Sequence, residues 1–375
     1  MDRYKIIKTL GDGTFGSVYK AVVKGTNEIV AIKRMKKKFY SWEECLELRE
    51  IKALRKVTHA NVVRLKEVIR ANDDLHLIFE FCEKNVVQLM TDQGTPCTDI
   101  QVRDIIGQIL NGLSAIHKNG FFHRDMKPDN ILVSEGVFKI ADYGLAKEIR
   151  SQPPYTDYVA TRWYRAPEIL LHSRRYNWQV DIYAVGCIMA ELYMMRPLFP
   201  GTNEVDQLNR ICSVLGTPND WPEGQRLATQ LSYCFPQYIP MPLHELMPNA
   251  SPDAIDFIKQ VLTWDPANRP SADQCLQHPF FTGGIRVQQN FSFLSVDMGP
   301  KSAINRVHSL SAENQHNLSD GPHTRSGILI GVGEMRNPAT NIATSRAKIG
   351  GGLGQFGASL IGRQNGGIGM GRHKF

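Results

Sequence analysis

The stretch that decides the fold reads His123-Arg124-Asp125-Met126-Lys127-Pro128-Asp129-Asn130, and Asp142-Tyr143-Gly144 begins twelve residues after Asn130. Asp125 is a carboxylate that can accept the proton of a hydroxyl group. Asn130 and Asp142 offer hard oxygen ligands of the kind that Mg²⁺ prefers. An isolated Asp-Tyr-Gly is usually only a turn. The eight-residue run at this spacing is too specific for coincidence, and it predicts a site for chemistry on phosphate groups.

A glycine-rich loop and a lysine precede this run. The loop reads Gly11-Asp12-Gly13-Thr14-Phe15-Gly16-Ser17-Val18, in which missing side chains let backbone N–H groups close over phosphates. A dinucleotide-binding fold uses similar glycines, but there the loop opens a helix, whereas residues 17–21 continue as a strand. Lys33 would then neutralise the phosphates, and Glu50 is the helix carboxylate expected to position it. A strand lysine is usually a solvated surface residue, but the order of the motifs favours the functional interpretation.

In this order the motifs resemble those of the protein kinases, over about residues 4 to 281. The resemblance implies an enzyme that uses ATP and Mg²⁺, with Asn130 and Asp142 as metal ligands. It implies these catalytic residues: Asp125 as base, Lys127 near the transferred phosphate, Asn130, Lys33, Glu50 and Thr161, which would hydrogen-bond Asp125. It implies these ATP contacts: Gly11, Asp12, Gly13, Thr14, Phe15, Gly16, Ser17, Val18, Lys33 and the backbone of Glu80 and Cys82.

A regulatory segment is predicted between Asp142 and Ala166-Pro167-Glu168. It contains Thr156-Asp157-Tyr158, about eight residues before Ala166, a position that favours regulatory phosphorylation over a chance Thr-x-Tyr. Each phosphate adds nearly two negative charges and so attracts arginine. We expect phosphate on Thr156 to pair with Arg124, and phosphate on Tyr158 to pair with Arg162 or Arg165.

The run Trp163-Tyr164-Arg165-Ala166-Pro167-Glu168 resembles the cyclin-dependent, mitogen-activated and related kinases, the CMGC group. There the arginine helps to shape a pocket for a proline, so Ser/Thr-Pro sites in proteins are the implied substrates. Glu168 and Arg269 resemble the buried ion pair that braces this pocket. Thr156-Asp157-Tyr158, Ser41-Trp42-Glu43-Glu44-Cys45 and residues 162–165 are most similar to the male germ cell-associated and intestinal-cell kinases. That family implies an upstream activating kinase, autophosphorylation on Tyr158 and a role in cilium or flagellum length.

The predicted fold class is α+β, a bilobal protein kinase fold. Short β-rich stretches place a small lobe at about residues 4–81, with one helix from Ser41 to Lys56. Helical periodicity places the larger lobe at about 82–281, with Ile105, Ile109, Leu113 and Ile116 on one stripe. From residue 282 to 375 apolar residues are sparse, and glycine supplies ten of the last 26 residues. This composition predicts a disordered, Gly-rich basic tail over 282–375.

The amino-acid composition narrows the classes of protein to which the chain could belong. With 42% hydrophobic and 22% charged residues and no long apolar run, we expect no membrane span, and the amino terminus lacks a secretory signal. The seven scattered cysteines predict reduced thiols and an intracellular, cytoplasmic protein. The family resemblance implies the cilium or flagellum as a further compartment, and the basic run at residues 33–38 leaves the nucleus open as another. The net charge of +7 is spread without aromatic interleaving, which argues against nucleic-acid binding. We expect a monomer.

Three alternatives stay open. The chain could be a non-catalytic scaffold of kinase fold, a protein whose basic Gly-rich tail serves chiefly for RNA binding or anchoring, or a protein that docks partners through residues 218–252. The cheap sequence test for a scaffold is loss of a catalytic residue, and Lys33, Glu50, Asp125, Asn130 and Asp142 are all present. Residues 33–38 could form a nuclear localisation signal, although Lys33 is already assigned to ATP. Tyr143 departs from the usual Phe of the family, which adds a hydroxyl in an apolar slot.

Overall fold

The smaller lobe is built on an antiparallel sheet. The computed structural model describes residues 1–13, 15–149, 162–283 and 372–374. Five neighbouring strands of the sheet follow the order β1-β2-β3-β5-β4. Their bounds are Tyr4–Asp12 (β1), Gly16–Val23 (β2), Ile29–Lys38 (β3), Leu65–Ala71 (β4) and Asp74–Glu80 (β5). The predicted β-rich lobe is therefore confirmed.

Strand β5 contributes to apolar clusters on both faces of this sheet. Leu75 and Leu77, both fully buried, belong to the large core cluster, whereas Ile78 packs with Val30 and Ile32 in a smaller second cluster. Alternate side chains of a strand point to opposite faces, so one strand can serve two clusters. A strand that is buried on both faces is well placed to carry residues into the interior of the protein.

The helix predicted from Ser41 to Lys56 is two helices, α1 (Trp42–Leu46) and α2 (Arg49–Lys56). The Ser41 cap is confirmed, since its side chain accepts a hydrogen bond from the backbone N–H of Glu44. The break lies at Leu48, whose ψ of 128° is not helical. Cys45 and Ile51 are both fully buried. In one continuous helix they would point about 120° apart, because each residue turns the helix by about 100°. The break lets both reach the core.

The larger lobe is mainly helical, and two capping boxes start its first helices at Asn85 and Thr98. The helices are α3 (Val86–Gln93), α4 (Asp99–Lys118), α5 (Pro167–Leu170), α6 (Gln179–Met194), α7 (Glu204–Leu215), α8 (Pro222–Gln230), α9 (Leu243–Leu246), α10 (Pro252–Val261), α11 (Ala272–Cys275) and α12 (Pro279–Thr282). The short strands are β6 (Lys84–Asn85), β7 (Phe121–Phe122), β8 (Ile131–Ser134), β9 (Val137–Ile140) and β10 (Lys147–Glu148). Three 3₁₀ turns span Pro128–Asn130, Tyr143–Leu145 and Pro266–Asn268. The bilobal fold class is confirmed.

Helix α6 is the central element of this lobe. Residues 180–193 are all buried, including its two carboxylates, Asp181 and Glu191. The predicted stripe of α4 is confirmed as well, since Ile105, Ile109, Leu113 and Ile116 are at most 3% exposed. A helix that is apolar on all sides belongs in the interior.

The expected ion pair between Glu168 and Arg269 forms at the base of α5. The two Nη atoms of Arg269 lie 2.7 and 2.8 Å from the two carboxylate oxygens of Glu168, a bidentate geometry. Arg269 also donates to the backbone oxygens of Thr263, Trp264 and Gln179. All five donors of the guanidinium are thus engaged.

The described part of the chain beyond Gly283 is one short strand. A last strand, β11 (Arg372–Lys374), pairs antiparallel with β4, and the rest of the predicted tail beyond Gly283 lies outside the described residues. Of the helices in the described ranges, none is both long and apolar enough to cross a bilayer. All seven cysteines are free thiols.

Candidate active site

A buried carboxylate on α6 holds the loop of residues 123–130. The oxygens of Asp181 accept hydrogen bonds from the backbone N–H groups of His123 and Arg124, each at 2.8 Å, and His117 Nε2 lies 2.9 Å away. Burial alone would raise the pKa of Asp181, but these contacts with His117 and His123 hold it below its ordinary value. The loop therefore rests on an ionised anchor. Sequence reasoning missed this role of Asp181 and His117; a lone carboxylate starting an apolar helix was the available signal.

Asp125, Lys127 and Asn130 meet within this loop. Lys127 Nζ and Asn130 Nδ2 both lie near Oδ2 of Asp125, at 2.9 and 3.0 Å. Asn130 Nδ2 also donates to the backbone oxygen of Asp125 at 2.7 Å. Lys127 and Asn130 therefore orient the Asp125 carboxylate through the same oxygen, Oδ2. Thr161, the third group expected here, lies outside the described residues.

Lys33 joins the two lobes through two carboxylates. Its Nζ lies 2.9 Å from each oxygen of Glu50 on α2 and 2.8 Å from Oδ1 of Asp142. Burial alone would lower the pKa of Lys33, but Glu50 and Asp142 together hold it above its ordinary value. The lysine that sequence analysis placed on a strand is thus a buried cation with the predicted partner, Glu50.

Asp142 adopts a left-handed backbone conformation, with φ 62° and ψ 73°. A residue with a Cβ rarely adopts this conformation, and it tends to persist where the surroundings over-determine it. Burial would raise the pKa of Asp142, but Lys33 lowers it below its ordinary value. The preceding residue, Ala141, donates its N–H to the backbone oxygen of Asn130 at 2.8 Å. The two predicted metal ligands are therefore brought together by the backbone.

The glycine-rich loop is the hairpin between β1 and β2. Gly13 N–H donates to Gly16 O at 3.0 Å, and Ser17 Oγ donates to Asp12 Oδ1 at 2.7 Å. A Cβ at Gly16 would lie 2.5 Å from the backbone oxygen of Arg34, which explains the glycine there. Because a strand follows the loop, the dinucleotide-binding alternative is wrong.

The other loop residues also lie in this hairpin. Gly11 and Val18 pair across it, and the Phe15 ring approaches Gly144 beside Asp142. Thr14 lies outside the described residues.

The segment that joins the lobes contains Phe79, Glu80 and Cys82. The Phe79 side chain lies in the buried core, at 8% exposure. The backbone N–H of Glu80 donates to Arg64 O at 3.1 Å. Burial raises the pKa of the Cys82 thiol to about 11, so this cysteine is a neutral thiol.

Three positively charged side chains, Arg49, Arg124 and Lys147, lie close together near the start of α2. The pKa of Lys147 is lowered to about 8, first by burial and then by the charges of Arg124 and Arg49. Arg124 also stacks over the ring of Tyr176, with its guanidinium carbon 5.4 Å from the ring centre. Sequence analysis assigned only Arg124 here. It missed Arg49, Lys147 and Tyr176, because they are separate in sequence and converge only in the fold.

Residues 163–166 lie beside the base. Trp163 Nε1 donates to Gly201 O at 3.1 Å, and the Tyr164 hydroxyl donates to Glu191 Oε2 on α6 at 2.7 Å. A small pocket is lined by residues 124–126 of the loop, residues 164–166 and part of α6. Arg165 lies 3.7 Å from Glu204 on α7. Arg162 Nε is buried without a hydrogen-bond partner in the described part of the chain. Thr156 and Tyr158 lie outside the described residues.

This pairing of a buried lysine with two carboxylates, above a loop anchored on α6, places the chain in the class of protein kinases. The family model "Protein kinase domain" matches residues 4–281, and the chain belongs to that family.

Among the curated proteins it resembles, "Serine/threonine-protein kinase MAK" of Homo sapiens is 57% identical over 287 residues, 76% of this chain and 46% of the relative. "Serine/threonine-protein kinase ICK" of Mus musculus is 55% identical over 287 residues, with the same two shares. "Cyclin-dependent kinase F-3" of Oryza sativa subsp. japonica is 54% identical over 286 residues, 76% of this chain and 66% of the relative.

The resemblance to the male germ cell-associated and intestinal-cell kinases is therefore confirmed. The chain spans about half the length of the first two relatives.

The Lys33–Glu50 pair yields a first prediction. Replacing Glu50 by Gln removes the charge that positions Lys33, and we expect kcat for phosphate transfer to fall about 10- to 100-fold, as expected for a hydrogen bond to a charged group. Glu47→Gln is the matched control, because Glu47 forms an ion pair with Lys52 on the surface. Steady-state kinetics with varied ATP would test this, and equal kcat values for the two variants would contradict it.

Proposed function

We propose that this chain is a protein serine/threonine kinase that transfers phosphate from ATP to Ser/Thr-Pro sites and is activated by phosphorylation of Thr156 and Tyr158. The observation that carries the proposal is the geometry of Lys33, which contacts Glu50 and Asp142 at 2.8 to 2.9 Å. Protein kinases require this lysine pair and the metal-binding aspartate to be in place at the same time. Family membership supports the same activity.

In this proposal Asp125 accepts the proton of the substrate hydroxyl. Lys127 and Asn130 orient its carboxylate through Oδ2. Lys127 also places a positive charge beside Asp125, where the substrate hydroxyl would meet the transferred phosphate. Backbone bonds to Asp181 keep the loop still while the proton moves, so little reorganisation is needed at the moment of transfer.

The donor set at the cleft fits ATP with Mg²⁺, which protein kinases typically use. Asn130 contributes an amide oxygen and Asp142 a carboxylate, and hard oxygen ligands suit Mg²⁺ together with phosphate oxygens. The Asp142 side chain is 42% exposed, so it is open to the cleft. The bound metal would neutralise charge on the phosphates. Lys33 would hold the α- and β-phosphates, the hairpin of residues 11–18 would cover them, and Glu80 and Cys82 would contact the adenine through their backbone.

The switch is proposed at Thr156 and Tyr158. A phosphate on Thr156 would meet the cluster of Arg49, Arg124 and Lys147, in which burial and then the charges of the two arginines lower the pKa of Lys147 to about 8. A dianion would relieve that repulsion, which supports a phosphate site here. Phosphate on Tyr158 would meet Arg162 or Arg165. Thr161 would hold Asp125 in register.

The specificity for proline is proposed at residues 163–166. Arg165 turns toward Glu204, and Trp163 is tied to Gly201, so the backbone of this segment is supported from α7 and the loop before it. Its pocket opens beside Asp125. A residue that directly follows the phosphorylated Ser or Thr would therefore contact this segment.

Partners and location are further proposals, which rest on the family resemblance and on the composition of the chain. We infer protein substrates, an upstream kinase for Thr156, a monomer in the cytoplasm, and further sites of action in the cilium or flagellum and the nucleus. The chain covers 46% of the first relatives, and these proposals concern the part that it shares with them.

The test of the proposal is ATP-dependent transfer to a Ser-Pro peptide and to the same peptide with Ser-Ala. We expect at least about tenfold preference for Ser-Pro, and a loss of at least about tenfold in kcat for Thr156→Ala, because ordering the segment through two or more charge-assisted bonds stabilises it by that amount. Tyr158→Phe should lose activity in the same direction. Thr95→Ala and Tyr40→Phe, both at exposed positions, are matched controls.

The outcomes separate the alternatives. Equal transfer to both peptides would contradict only the proposed preference for proline. Normal activity of Thr156→Ala would contradict only the proposed phosphorylation switch. If a protein with phosphate on Thr156 and Tyr158, verified by mass spectrometry, transferred nothing, the scaffold alternative would replace the enzyme.

A further inference from the structure

Tyr143 places a polar hydroxyl in the interior of the protein. The side chain lies in the turn Tyr143–Leu145, directly after Asp142, and is fully buried. In the described part of the chain its hydroxyl makes no hydrogen bond. A buried hydroxyl without a partner loses its hydration and gains nothing in return. The turn therefore contains an unfavourable group immediately beside a predicted metal ligand.

The polar groups near this hydroxyl are already engaged. The His123 ring packs against the Tyr143 ring in an edge contact, with centroids 5.1 Å apart. Its Nε2 lies 2.9 Å from Ala141 O, and its Nδ1 accepts the backbone N–H of Asp125. Burial, and after it the charge of Asp181, raises the pKa of the Tyr143 hydroxyl. The carboxylate of Asp181 already contacts His117 and the backbone N–H groups of His123 and Arg124. Among the described residues, none of these groups forms a hydrogen bond with the Tyr143 hydroxyl.

We propose that Tyr143 is a positioning residue that acts through Asp142: its unpartnered hydroxyl weakens the placement in which Asp142 meets Lys33, so that the metal ligand is only loosely held before ATP and Mg²⁺ bind. The inference deepens the proposed function and rests on it for its kinetic arm. The left-handed backbone of Asp142 acts in the same direction. The 2.8 Å contact with Lys33 and the packing of the Tyr143 ring oppose both effects.

The chain contains a matched control for the hydroxyl itself. Tyr183 on α6 is also fully buried and also lacks a hydrogen-bond partner for its hydroxyl among the described residues. It packs against Phe199 with ring centres 6.5 Å apart and lies under the Arg269 guanidinium. Tyr183→Phe therefore removes the same chemical group from a place that does not contact Asp142.

The first arm of the experiment needs neither nucleotide nor metal. Hydrogen exchange followed by mass spectrometry would compare the full chain with Tyr143→Phe and Tyr183→Phe. Ala146 N–H donates to Tyr143 O at 3.0 Å, so its exchange reports opening of the turn. We expect about tenfold slower exchange at residues 142–146 in Tyr143→Phe, the effect of relieving one buried unpartnered hydroxyl, and no change in Tyr183→Phe.

The second arm measures the Mg²⁺ concentration at half-maximal phosphate transfer. We expect Tyr143→Phe to lower it about tenfold with little change in KM for the peptide, and Tyr183→Phe to leave it unchanged. If Tyr143→Phe and Tyr183→Phe behaved alike in the exchange arm, the inference would be overturned. Active protein with equal Mg²⁺ requirements in all three forms would also overturn it. If no form transferred phosphate, the proposed function would fail, and the exchange arm would still decide the placement of Asp142.

Discussion

Asp125→Asn should lower kcat about 10²- to 10⁴-fold while leaving KM for ATP nearly unchanged, because the amide cannot accept the proton of the substrate hydroxyl. The substitution keeps the shape of the side chain. Its amide oxygen can still accept the bonds that Lys127 and Asn130 make to Oδ2 of Asp125. The loss is therefore expected in the chemical step rather than in folding or ATP binding.

The matched control for this prediction is Asp129→Asn, since Asp129 is an exposed carboxylate in the same loop. Steady-state kinetics with a Ser-Pro peptide that contains no Lys or Arg would compare the two variants. We expect Asp129→Asn to stay within about threefold of the unmodified chain, as surface substitutions usually do. If Asp125→Asn retained as much activity as Asp129→Asn, Asp125 would not be the base.

Arg269→Met should lower the free energy of unfolding by about 3–5 kcal/mol, because it leaves the carboxylate of Glu168 buried without its partner. The side chains of Arg269 and Glu168 are 0% and 2% exposed, so water cannot replace the lost contacts. The three backbone oxygens that the guanidinium reaches would also lose their donor. This is the largest stability effect that we expect from a single substitution outside the apolar core.

Chemical denaturation would measure this loss. The control is Arg226→Met, which breaks an ion pair with Glu223 on the surface and should leave the unfolding free energy almost unchanged. The double variant Arg269→Met with Glu168→Met should recover part of the loss, since it leaves no buried charge behind. Equal stability of Arg269→Met and Arg226→Met would show that the buried pair does not brace this region.

Much of the site could be predicted from sequence because its chemistry demands particular residues at short spacing. Asp125, Lys127 and Asn130 lie in one loop, so their meeting follows from the run itself. Lys33 and Glu50 were predictable for another reason: in protein kinases the phosphate-binding lysine of the sheet pairs with a carboxylate on the helix of the same lobe. Local patterns did not reveal the break at Leu48, the anchoring role of Asp181 and His117, or the cluster of Arg49, Arg124 and Lys147 beside Tyr176.

Those details depend on the packed fold. The break at Leu48 follows from the need to bury Cys45 and Ile51 together, which only the three-dimensional core imposes. The cluster of Arg49, Arg124 and Lys147 joins three separate segments, and none of them carries a local signal for the others. The roles assigned to Thr14, Thr156, Tyr158 and Thr161 stay predictions, because these residues lie outside the described part of the chain.

Helix α6 has a geometric consequence for substrate recognition. Its Asp181 supports the loop that carries the base, and its Glu191 receives the hydroxyl of Tyr164 next to the proposed proline pocket. Ten residues of helix separate these two supports, a distance of about 15 Å along a rigid rod. The loop that carries Asp125 and the proposed proline pocket are therefore both positioned by the same helix. A rigid helix would keep the distance between these two supports fixed, and with it the register between the base loop and the proposed proline pocket.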